Sequence, residues 1–161
     1  MKKIFGLVVM AMSMLFTANA MASTGVESVD AVTSTADYDG DYDGVISNVT
    51  MNGKSYSDED ATFTIESNVL ICDFPQIGKM PGTITVNLPI SINEATGEIT
   101  ATPGTSAGFL TLKVGGKATL YLDSLTNAKV ENGTLEFDMA VHGTYLGILK
   151  FPASFHFKAP K

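Results

Sequence analysis

The chain reads as an all-β domain, a single antiparallel meander of about eight to ten strands that closes on itself. Three observations predict this. Apolar and polar residues alternate with period two from about Asp43 onward, glycine-bearing dipeptides of tight-turn type separate the alternating runs, and no stretch beyond the N-terminal segment carries a helical stripe.

Taken in order, the first element is a secretory signal peptide over 1–22. Lys2 and Lys3 precede an apolar run from Ile4 to Phe16. That run is shorter than the ~20 residues a membrane-spanning helix needs, but it suits a signal core. Ala18-Asn19-Ala20 and Ala20-Met21-Ala22 both offer the small-x-small form, and cleavage is expected after Ala22, ahead of a polar Ser-Thr-Gly start. The protein is therefore expected to be exported, to the periplasm or the cell exterior, with no membrane insertion once the signal is removed. Residues 23–41 are small and polar without periodicity, which predicts a flexible leader.

The remaining 42–161 hold the barrel. The clearest strand is Thr83 to Ile92, in which Ile84, Val86, Leu88, Ile90 and Ile92 share one face, and Pro89 suits an edge or a bulge. Similar alternation marks Ala61 to Glu66, Leu110 to Val114 and Leu135 to Met139. Turns are expected at Asn52-Gly53, Gly115-Gly116, Asn132-Gly133 and His142-Gly143, where glycine supplies the positive φ of a tight hairpin. Asp58-Glu59-Asp60 is expected in a turn as a solvated charge run. Leu122 to Thr126 is expected as a loop, and a bulge near Pro152 is expected to reset the inward face of the last strand.

Composition narrows function. With 161 residues the chain accommodates one domain, and its formal net charge is −7. Loss of Lys2 and Lys3 with the signal makes the exported form more acidic by two charges. Every basic residue is lysine, so the forked guanidinium contacts that grip phosphates are missing, and no nucleic-acid partner is expected. Cys72 is the sole cysteine, sits in the apolar run Val69 to Cys72, and is expected in the core. Asp39, Asp41 and Asp43, followed by Gly44, match the first half of a calcium loop, but Thr50 stands where that loop needs a bidentate glutamate. A solvated acidic lead-in is the simpler reading. The two histidines, His142 and His156, are expected in a turn and on a solvent-facing strand position. Neither pairs by sequence with a nucleophile or a metal-ligand set, so no enzyme activity, metal or cofactor is expected.

The order of segments resembles the calycin-like β-barrel proteins exported by gut-type anaerobic bacteria. The resemblance runs from about Tyr42 to Lys158. It is carried by the Tyr42-Asp43-Gly44 opening strand with its Asn52-Gly53 turn, by the Phe74 to Gly82 connection into Thr83-Ile84-Thr85-Val86, and by the Asn132-Gly133-Thr134-Leu135 hairpin. It implies a small barrel of the broad lipocalin, fatty-acid-binding-protein and avidin type, in a family without an assigned role. The lipocalin Gly-x-Trp signature is absent, because the chain has no Trp. The resemblance also makes Asp123-Ser124-Leu125 look like the short pattern on which such bacteria attach sugars to exported proteins, with Ser124 as the acceptor.

Two function classes follow. In the first, the barrel interior holds a small hydrophobic ligand, lined by Phe63, Ile65, Val86, Leu88, Leu112, Phe137 and Met139. In the second, those side chains are plain core. The barrel is then solid, and the protein is a surface or periplasmic interaction module whose partner the sequence does not name.

Overall fold

The computed structural model describes residues 37–74, 76–77, 82–113, 115–145 and 149–161. The expected signal peptide, most of the leader and most of the Pro75 to Gly82 connection lie outside the described residues. Strands follow in the order β1 (Gly40–Met51), β2 (Lys54–Ser55), β3 (Glu59–Glu66), β4 (Val69–Phe74), β5 (Gly82–Pro89), β6 (Ser91–Ile92), β7 (Ile99–Thr100), β8 (Ser106–Leu112), β9 (Lys117–Glu131), β10 (Thr134–Tyr145) and β11 (Leu149–Pro160). Eight of them, β1, β3, β4, β5, β8, β9, β10 and β11, form an antiparallel meander that closes where β11 pairs with β1. β2 is an extra strand folded back on the end of β1, while β6 and β7 make a separate hairpin. The fold is thus a closed eight-stranded all-β barrel, compatible with a calycin-like one.

Alternation decides which side chains enter. Leu135, Phe137, Met139 and Val141 point inward from β10, and Phe157 and Ala159 from β11, all buried. Inside, Phe63 meets the rings of Phe157, Phe137 and Phe74 at centroid distances of 4.6, 5.0 and 5.5 Å, and Phe155 packs on the same group. Such edge and tilted contacts add to the burial of each ring. A smaller cluster of Leu110, Ala118 and Leu120, flanked by Leu112 and Phe151, continues the core along β8 and β9.

The turns at Asn52-Gly53, Gly115-Gly116 and Asn132-Gly133 are present, every one of those residues having positive φ. Four expectations need correction. His142 and Gly143 lie inside β10, where Gly143 pairs with Phe151. The β10–β11 ladder runs without a shift from Thr134↔Pro160 to Tyr145↔Leu149, so there is no bulge at Pro152. The parity clash came from joining the end of β10 to the start of β11; Leu146 and Ile148, which created it, lie outside the described residues. Leu122 to Thr126 is no loop, because β9 runs straight through it with two register shifts against β10. Inward parity switches there from Leu120 and Leu122 to half-buried Leu125 and back again to Ala128 and Val130, and Asn127 at φ 52° takes up one of the extra residues. Finally, the run from Thr83 to Ile92 breaks after Pro89, which ends β5, and Ser91 and Ile92 leave the barrel as β6.

The β6–β7 hairpin lies against β9 at one end of the barrel. The Val130 amide donates to the Gly97 carbonyl, and Ile90 and Ile99 are buried in the core. The side chain of Asn93 shapes its turn, its carboxamide oxygen accepting from the Ala95 amide.

Candidate functional site

The expected ligand-lining residues belong to the barrel interior and its flank. Phe63, Ile65, Leu88 and Phe137 are fully buried, Val86 and Met139 nearly so, and Leu112 is half-buried beside the smaller cluster. The structure brings the first six together as core. An interior cavity of about 30 Å³ lies among them, touching Val86 and Met139 together with Phe74, Ile77 and Phe155. That is room for about one water, against the ~300 Å³ or more of a small-molecule pocket.

The wall holds a second feature. Ser67 and Asn68 both have positive φ, 50° and 63°, and form a two-residue hairpin between β3 and β4. A primed turn of this kind makes Glu66↔Val69 a hydrogen-bonded pair, so by alternation Thr64↔Ile71 is the next. The same alternation aims the backbone N–H and C=O groups of Thr62 and Asp60 toward β4. Yet the β3–β4 ladder ends at Thr64↔Ile71, while β3 stays paired with β1 as far as Ile46↔Glu59 and β4 stays paired with β5 as far as Phe74↔Ile84. The two strands part, and a stretch of strand edge opens in the side of the barrel. From within, the edge contact of Phe63 with Phe74 closes the seam.

From outside, the seam is an open groove of about 690 Å³, lined by Val45, Ile71, Asp43, Asp60 and Asp73 with Thr62 and Thr64. Val45 is the one large apolar side chain exposed among the described residues, at 41 %. Two of the groove carboxylates, Asp43 and Asp73, and the neighbouring Asp41 are held in place by cross-strand partners. Thr62 donates to Asp43 at 2.6 Å, Thr64 to Asp41 at 2.7 Å and Thr85 to Asp73 at 2.7 Å, each across a directly opposed pair. Of Asp58-Glu59-Asp60, expected in a turn, only Asp58 lies in the connection from β2; Glu59 and Asp60 open β3, opposite Ile46 and Val45.

Asp39, Asp41 and Asp43 do not wrap into a loop. Asp41 and Asp43 stand on β1 with threonine partners, and Asp39 accepts from the Ser67 amide at 3.3 Å. Ser124 is half-buried within β9, opposite Ala140, rather than at a join between strands. Both histidines sit on outward positions of β10 and β11 beside carboxylates. His142 Nδ1 lies 2.7 Å from Asp123 Oδ1, its ring stacked on Tyr121. His156 Nδ1 lies 2.9 Å from Asp138 Oδ1 and its Nε2 is 3.9 Å from Glu136 Oε1, so both of its ring nitrogens face carboxylates instead of a hydroxyl nucleophile. The Asn127 amide, followed by the His156 ring, holds the Asp138 carboxyl below its usual range. The Lys158 ammonium does the same for Glu136. Cys72 points into the core, where burial and then the neighbouring Asp73 push its thiol up to about 12.

The groove escaped the sequence reading. Alternation tells which residues of β1, β3 and β4 face outward, but the β3–β4 ladder stops because β3 follows β1 and β4 follows β5, a divergence between neighbours that no local pattern encodes. The available signal was an apolar pair, Val45 and Ile71, at positions of outward parity. Compared with protein-family models, curated proteins and solved structures, the chain has no match.

Proposed function

We propose that the protein is an exported, non-catalytic binding module of the calycin-like class, recognising another macromolecule with its outer wall instead of carrying a small apolar molecule inside. The observation that carries this is the interior. Five phenylalanine rings occupy it, and the cavity at Val86 and Met139 holds about 30 Å³. A carrier would need roughly ten times that volume. The wall supports the same reading, since it presents exposed apolar surface at Val45 beside paired carboxylates. Charged outward positions such as Asp43, Asp73 and Glu136 suit water and not a lipid-facing band.

Native mass spectrometry of protein purified from its host, joined to titration with a fatty acid and with an environment-sensitive apolar dye, tests this. The expected result is a mass without any small adduct held non-covalently, no stoichiometric uptake of either probe, and retention of a protein partner under gentle conditions. One equivalent of an apolar molecule retained in the barrel would overturn it.

A further inference from the structure

We infer that the seam between β3 and β4 is a strand-addition site for an extended peptide segment bearing lysine or arginine, supplied by another protein. The inference deepens the binding-module reading and rests on it. Three features of the seam converge. The first is the edge itself: Asp60 to Phe63 of β3 and Cys72 to Phe74 of β4 lie beyond the last β3–β4 pair, and the backbone groups of Asp60 and Thr62 face the opening. An added strand can satisfy them with up to about four main-chain hydrogen bonds over ~10 Å of edge.

The second feature is apolar. Val45 and Ile71 line the groove, and Val45 is exposed although it stands on a central strand paired on both sides, to Asp60 and to Lys158. The third is charge. Asp43, Asp60 and Asp73 line the same groove, and among the described residues its lining holds no basic side chain. A lysine or arginine on the outward face of an added strand stands beside Asp60 and Thr62 of β3 and sets its charge against Asp60, with Asp43 and Val45 one strand further on, across β3. A second basic residue two positions along reaches Asp73 from the other side of the seam. A second copy of this acidic chain fits poorly, because it would set like charges against one another.

The test uses host-purified protein and a fluorescent ten-residue peptide alternating lysine and valine. Two control peptides accompany it, one with glutamate for each lysine and one with N-methylated backbone amides along one edge. Expected results are saturable binding of the lysine peptide, slowed hydrogen exchange at the Asp60 and Thr62 amides, and weakening by ~10-fold or more for the glutamate peptide, for the N-methyl peptide and for the Asp60→Lys and Asp73→Lys variants. Circular dichroism confirms that each variant keeps its sheet.

Binding that survives N-methylation would reduce the contact to charge alone and overturn strand addition. Failure of the lysine peptide to bind would overturn it as well. So would a dimer formed without peptide and broken by Asp60→Lys, which would make a second copy the occupant. These outcomes differ from failure of the module reading, which appears as an apolar molecule held in the barrel.

Discussion

Gly143 and Phe151 face each other across the β10–β11 ladder, and the Phe151 ring fills the space that a side chain at Gly143 would need. A Cβ at that position would overlap the ring directly. Glycine is therefore required there by a neighbour and not by a turn, since residue 143 lies within a strand. Phe151 in turn packs against the Leu110, Ala118 and Leu120 cluster, so the ring has little freedom to move aside.

Gly143→Ala is accordingly expected to destabilise the barrel by about 1–3 kcal/mol through overpacking. Phe151→Leu shortens the obstructing side chain, so in the Gly143→Ala/Phe151→Leu double variant the two costs do not add. Their coupling should be about 0.5–3 kcal/mol in the compensating direction. Urea unfolding of the four proteins measures it. A Gly143→Ala variant within ~0.5 kcal/mol of the parent would show that the ring gives way freely.

How much of this was legible in the sequence depends on what each element requires. β10 shows its inward face plainly, because Leu135, Phe137, Met139 and Val141 keep period two without interruption. The Asn-Gly turns are equally plain, since both residues must adopt positive φ. Leu122 to Thr126 reads as a loop, although it lies inside β9, because two register shifts switch inward parity within the same strand. The hairpin at Ser67 and Asn68 was missed because it reaches positive φ without glycine. The interior residues Phe63, Ile65, Val86, Leu88, Phe137 and Met139 were found by parity. Whether they surround a ligand or one another depends on the approach of rings from distant strands, Phe63 to Phe137 and Phe157, which alternation does not contain.

Cys72 is itself among the residues lining the groove, yet it is buried and belongs to the core. With its thiol pushed up to about 12 by burial, almost none is thiolate near neutrality. Alkylation by iodoacetamide at pH 8 should therefore be about a thousandfold slower in the folded protein than in urea, where an ordinary cysteine is partly ionised. Native labelling within ~10-fold of the unfolded rate would mean that the thiol is reachable through the seam.

Asn127 occupies a register shift of β9 at φ 52°, and its side-chain amide donates to Asp138 Oδ2 at 2.7 Å. It is the leading cause of the lowered Asp138 pKa, ahead of the His156 ring on the other carboxylate oxygen. A carboxyl whose folded pKa is depressed contributes stability that is present above its unfolded value, about 3.9, and is lost as pH falls through the folded value. Asn127→Gly removes the amide but keeps a residue suited to the left-handed backbone, so the change falls on the carboxylate and not on the bulge. The Asp138 titration, followed by carbon NMR, should move up toward the ordinary range in that variant. The stability difference between parent and variant should stand at a constant level from about pH 7 down to about pH 5 and narrow below pH 4. Denaturant midpoints across that range measure it. A difference that keeps the same size at pH 2.5 would place the role of Asn127 in the backbone alone.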